Sequence, residues 1–212
     1  MNPDISSEMN HNNSPGMSSQ YEMFFTLCTQ RKSCRRFAPD SVSEQDIERI
    51  LNAGKTSPFA SGRRNWEIVV VRDKTLIDSL TDMVTTRVHQ LSEQMEDFAG
   101  QQFRQYGRNF SLFSGAPVLF LPTFRVAPTL KALLRDQLTP ELELWERDNA
   151  VKSISCVSML ILLAAQSLGL GACYMTGPLV AADEMARALG LPPERQVGAI
   201  IPVGKPLITS TI

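Results

Sequence analysis

Between positions 30 and 46 the chain reads QRKSCRRFAPDSVSEQD, placing Arg31, Lys32, Arg35 and Arg36 within six positions. Guanidinium forks, an ammonium and the Ser33 hydroxyl together suit a phosphate monoester, whose oxygens accept charge-assisted hydrogen bonds. The whole 212-residue chain carries a net charge of only −1, so the positive charge is local. That balance argues against a nucleic-acid partner, which needs an extended basic face. A small anion held at one point is the expected ligand. The bland alternatives are a solvated surface and a docking patch for an acidic protein.

A second stretch, SPFASGRRNWEIVVV (57–71), adds to the case. Ala60, Ser61 and Gly62 let a flat ligand approach the backbone, and Arg63, Arg64 and Asn65 supply donors just before a strand. A plain turn has no use for three successive long polar side chains.

Other chemistries are excluded by spacing. Cys28, Cys34, Cys156 and Cys173 form no C-x-x-C pair, and His11 and His89 are the only histidines, so no metal centre is expected. Dispersed thiols fit a reducing cytoplasm. Cys34 reads as a bystander among the cations. AGKTS (53–57) lacks the second glycine of a phosphate loop, since position 49 is arginine. GLGACY (169–174) ends in Tyr174 where a dinucleotide fingerprint needs glycine.

The elements that must carry these residues follow from periodicity. YEMFFTLCTQR (21–31) predicts a helix delivering the basic cluster; if the helix continues, Arg31 and Arg35 lie one turn apart on one face. Ser43 and Asp46 cap a second helix that stops at Gly54. Residues 66–73 predict a strand, 74–107 mainly helix, and 116–126 a buried strand with Pro122 marking an edge or bend. From Ser153 to Ala182 there is no charge. Serines, Gln166 and two glycines interrupt this run, so a central helix from about 148 to 168, buried on nearly all sides, is preferred to a membrane span. A short strand ACYM, a helix in AADEMARALG and a final strand 196–204 complete the chain. Residues 1–20 lack the basic start and apolar run of a signal peptide and are expected to form a flexible tail ahead of one domain, 21–212.

The order of these pieces resembles the nitroreductase family of FMN-dependent oxidoreductases. RKSCRRF, SPFASGRRNW, GLGACYMTGP and IPVGKP carry the resemblance, which covers roughly Tyr21 to Pro206. It implies an α+β fold, a mostly antiparallel central sheet wrapped by helices, in an intertwined homodimer with FMN at the subunit interface. By the same resemblance Arg31, Lys32 and Ser33 would hold the FMN phosphate and ribityl chain. Arg35 would face N1 and O2, where a cation favours reduced flavin. Met175, Thr176 and Gly177 would lie along the ring near N5, one backbone N–H bonding N5 or O4.

Three departures stand out. GRRNW replaces the family's N-x-Q-P-W, so Ser61, Gly62, Arg64 and Asn65 would grip the pyrimidine edge differently. Ser158 stands where asparagine is common. Gly204 and Lys205 close the chain's candidate set, Lys205 standing in for a phosphate-binding residue that relatives carry further on. The activity implied is a ping-pong cycle, NADH or NADPH to flavin N5 to a nitroaromatic, quinone or similar small oxidant, with no protein acid or base. A non-redox FMN carrier, or altered chemistry such as enoate reduction, dehalogenation or flavin fragmentation, remains the alternative. Tyr106, Phe110, Phe113, Phe124 and Trp145 lie where they could line a pocket, core packing being the commoner role.

Overall fold

The computed structural model describes residues 15–58 and 64–207. Ser61 and Gly62, and the tail up to residue 14, lie outside them. The first helix is longer than its sequence pattern: α1 spans Pro15–Gln30, so residues 15–20 are helical rather than tail.

Among the described residues five strands form one sheet. β1 (Trp66–Val71) pairs with β2 (Val118–Arg125); β2 pairs on its other side with both β4 (Arg195–Val197) and β5 (Ile201–Gly204); β5 pairs with β3 (Gly171–Ala172). Every strand pair is antiparallel. Helix α2 (Glu44–Lys55) and α6 (Pro140–Ser167) pack on one face; α3 (Lys74–Glu93), α4 (Asp97–Gly107) and α7 (Ala182–Ala188) pack on the other, and α5 (Thr129–Leu134) lies against α6.

The period-2 alternation of β2 divides the core. Leu119 and Leu121 join Ile77, Leu80, Val84 and Met185 on one side, while Val118, Phe120 and Phe124 join Ile50, Ile154, Val157 and Ile161 on the other. Each such fully buried side chain contributes about 1.5–3 kcal/mol relative to exposure.

The expected single strand 196–204 is split. Three steps of β2, from Phe120 to Thr123, face four steps of the partner, from Val197 to Ile201. One extra residue is a bulge. Pro122 causes no edge; it sits inside β2 opposite Ile68, and its carbonyl accepts from the Gly198 N–H at 2.8 Å. In a strand a residue's N–H and C=O point the same way, so the donor that proline lacks falls at the bulge, where no ladder bond is lost.

Helix ends are set by local chemistry. Ser43 caps α2, accepting from the Asp46 N–H. Gly54 does not end that helix; a Cβ there would stand 2.8 Å from Ile68 Cδ1 and 3.3 Å from Ile161 Cγ1, so the glycine lets α2 close on β1 and α6. Thr139 caps α6, with Pro140 opening it and Glu141 and Glu143 in the first turn. The helix thus starts eight residues before its expected start at 148. Its other end is a Schellman turn: Gly169 (φ 71°) donates to Gln166 O and Leu170 donates to Ala165 O, at 3.1 and 2.9 Å.

Helix α6 is long and apolar enough to cross a membrane by length and composition. It is less enclosed than expected. Ile154, Val157, Ser158 and Ile161 are buried, but Ser155, Cys156 and Met159 are exposed.

Candidate cofactor site

The basic segment is not helical. After Gln30 the chain becomes extended and adds to the sheet: Ser33 bridges Ala172 in parallel, Phe37 bridges Pro206, and Cys34 N–H donates to Ala172 O at 2.9 Å. Ala38 N–H donates to Lys205 O and Leu207 N–H to Arg36 O, both at 2.9 Å. Arg31 and Arg35 therefore do not share a helical turn. Alternation along an extended chain, rather than the 3.6 period, relates residues 31, 33 and 35. Phe37, 8% exposed, anchors the segment in the core.

Cys34 has a packing role. Its Sγ lies 2.6 Å from where a Cβ on Gly171 would be, so only glycine lets β3 meet this segment. The thiol donates to Arg36 O at 3.3 Å.

None of Arg31, Lys32, Arg35 and Arg36 forms an ion pair or side-chain hydrogen bond among the described residues. Four cations without counter-charge on one sheet edge are ready for an anion. Lys32 and Ser33 line a cavity of about 250 Å³ with Cys34, Gln166, Gly169 and Pro206. That is below the roughly 300–1,000 Å³ of a complete small-molecule site.

Next along the edge, Met175 is buried and exchanges both backbone bonds with Ile200 at 3.0 Å, which removes its N–H from ligand binding. The Thr176 and Gly177 N–H groups make no hydrogen bond among the described residues, and Gly177 opens a 3₁₀ turn, Gly177–Ala181. The ring of Phe110 occupies the space a Cβ on Gly177 would need. The donors expected of 175–177 thus narrow to Thr176 and Gly177.

The remaining candidates divide. Gly204 is buried against Pro117 and Phe37, a packing glycine beside the basic segment. Lys205 Nζ stands 3.6 Å from Asp40 Oδ1, both side chains more than half exposed. Arg64 is built into the scaffold: Nη2 donates to Lys55 O at 3.2 Å and the guanidinium lies 4.7 Å from the Trp66 ring centroid. Asn65 O accepts from Arg125 N–H at 2.8 Å. Of the five aromatic residues, Phe110, Phe113 and Phe124 are core, and Tyr106 and Trp145 are exposed.

Two atoms had no sequence signal. Among the described residues Ser57 Oγ and Trp66 Nε1 are buried without a hydrogen-bond partner, one on each side of residues 59–63. An orphaned buried polar group costs about 1–3 kcal/mol, so a site that supplies a partner is favoured here.

The structure does not bring both halves together. Trp66 stands opposite Phe124 at the start of the β1 edge, whereas Ser33 meets Ala172, which lies level with Val203 and Val118. Four strand spacings across and six residues along separate Trp66 from Ser33, a diagonal of roughly 28 Å.

An antiparallel sheet between two helical layers defines an α+β domain. More narrowly, the chain belongs to the nitroreductase family, whose sequence model it matches over residues 28–205; it is an oxidoreductase. It is similar to a BluB-like flavoprotein from Clostridium difficile, at 25% identity and a TM-score of 0.77 over 89% of this chain and 92% of that one. A nitroreductase with bound FMN from Desulfitobacterium hafniense shares the fold at 23% identity and a TM-score of 0.66, covering 88% and 90%. A protein of Methanothermobacter thermautotrophicus provisionally named NADH dehydrogenase/NAD(P)H nitroreductase is 28% identical over 179 residues, covering 83% of this chain and 73% of its own.

Proposed function

We propose that this chain is an FMN-dependent oxidoreductase that draws electrons from NADH or NADPH and works as a homodimer. Four cations without an ion pair, together with Thr176 and Gly177 N–H groups that make no hydrogen bond among the described residues, carry this reading. Bound FMN would supply hydride acceptance at N5 and onward delivery to a nitroaromatic, quinone or similar small oxidant in a ping-pong cycle.

The protein's own residues would bind and orient. Arg31, Lys32 and Ser33 would take the phosphate and ribityl chain, and Arg35 would place positive charge where reduction leaves negative charge. Thr176 and Gly177 would donate to the ring edge. Lys205 would join the phosphate by giving up an exposed pair with Asp40 worth at most about 1 kcal/mol. No side chain is needed as acid or base.

The diagonal separation supports the dimer. Arg31–Arg36 and the orphaned Ser57 and Trp66 would meet one ligand only if a second copy supplied one set. The exposed Cys156 and Met159 of α6 and the exposed Phe24 and Phe25 of α1 are surfaces such a copy would cover. Four free cysteines suit the cytoplasm, where nicotinamide donors are also at hand.

The visible spectrum of purified protein, before and after anaerobic NADH or NADPH, tests the reading. Flavin absorbance that bleaches is the expected result. A yellow protein that neither donor bleaches would be a flavin carrier, and a colourless one that FMN cannot reconstitute would sink both.

A further inference from the structure

A cleft of about 680 Å³ runs between α3 and α4, within the range of about 300–1,000 Å³ typical of ligand pockets. We propose that it holds the pyrophosphate and adenosine end of the dinucleotide donor; this rests on the nicotinamide-dependent reading above.

Its walls are two helical stripes. Gln101, Arg104, Gln105 and Arg108 recur at i, i+3, i+4 and i+7 along α4, and Thr85, Val88 and His89 answer them along α3. The lining contains two arginines and no carboxylate. His89 carries its own acidic neighbour, with Nδ1 3.3 Å from Glu93 Oε1, outside the lining.

Arg104 is braced. Its Nη1 donates to Ser92 Oγ at 3.1 Å, and that hydroxyl donates to His89 O at 2.6 Å. One of five N–H donors is used, and the others are held in a fixed fork. Arg108 makes no side-chain hydrogen bond or ion pair among the described residues. Two guanidinium groups four residues apart suit a dianion with two linked phosphates better than one phosphate. The glutamine amides beside them suit ribose hydroxyls and a base edge.

The cleft also ends where a donor must arrive. Ser111 lines it, and its chain neighbour Phe110 packs on Gly177, the turn that would donate to the flavin edge under the reading above. A dinucleotide with its nicotinamide at that turn would have its phosphates leading toward Arg108 and Arg104.

The test uses FMN-loaded protein and the variants Arg104→Met, Arg108→Met and Arg108→Lys. Steady-state KM is measured for NADH, NADPH and reduced nicotinamide mononucleotide, which lacks the adenosine phosphate end. ADP-ribose is titrated calorimetrically in parallel. Either methionine variant should raise the dinucleotide KM about tenfold, the scale of one charge-assisted bond. kcat, flavin content and the mononucleotide KM should stay unchanged, and Arg108→Lys should recover part of the loss. ADP-ribose should bind wild-type protein and bind both methionine variants more weakly. Unchanged dinucleotide KM, an equal loss with the mononucleotide, or ADP-ribose binding indifferent to both substitutions overturns the cleft. Wild-type flavin that neither donor bleaches, with ADP-ribose binding intact and sensitive to the arginines, sinks the reading of function and leaves the adenosine site standing.

Discussion

Two arginine-bearing corners of the sheet have opposite fates. At one, Arg195 is 13% exposed in its side chain, with Nη2 3.0 Å from Glu67 Oε1 and Nη1 3.4 Å from Thr123 Oγ1. At the other, Arg31, Lys32, Arg35 and Arg36 have no counter-charge among the described residues. The first corner spends its donors on its own scaffold; the second leaves them for something else. A cation's role follows from what already occupies its donors, not from residue type.

That contrast can be broken most severely at the open corner. Replacing Arg31 and Arg35 together by alanine should weaken FMN roughly 10²–10⁴-fold, at about 1.5–3 kcal/mol per charge-assisted bond. The melting temperature of the cofactor-free protein should hardly move, since no internal bond is lost. A large fall in apo stability with FMN affinity intact would reverse the assignment.

Gly177→Ala lies between the extremes. Its Cβ would meet the Phe110 ring, so the 3₁₀ turn must shift, costing about 1–3 kcal/mol as overpacking does. Denaturant unfolding should register that cost, and FMN binding should fall with it. At the closed corner Arg195→Met should lose about 1–2 kcal/mol, mostly the Thr123 bond, because Glu67 is exposed and its pair is weak. FMN content should be unchanged. The smallest effect belongs to Lys205→Ala, below about 1 kcal/mol in stability, with a measurable rise in the FMN dissociation constant. Should FMN bind the Lys205 variant as well as wild type, the lysine is no phosphate ligand.

Much of the scaffold was legible in the sequence because its signals are local. The Ser43 cap, the β-branched run 66–71 and the apolar run 118–125 each need only neighbours in the chain to declare themselves. What escaped depends on distant partners. The charged first turns of α6 look unlike its apolar remainder, so one helix read as a helix preceded by an unresolved segment. The helical pattern of 21–31 gives no hint that the next residues turn extended; the cause is Gly171 and Pro206, more than a hundred positions away, which offer Cys34 and Phe37 a sheet edge. The bulge opposite Pro122 likewise exists only once β2 is paired on both sides. At the site, the cationic cluster was visible as composition. Arg64 was expected to grip a ligand, yet the structure gives its guanidinium to Lys55 O and Trp66. Ser57 and Trp66 gained interest only through burial without a partner among the described residues.

The roughly 28 Å between the cationic edge and Trp66 has a consequence for handling the protein. A flavin touched by both sets would act as a rivet between two chains, so occupancy and assembly would be thermodynamically linked. Diluting the protein would then strip its colour, and adding free FMN would hold the pair together at concentrations where bare chains drift apart.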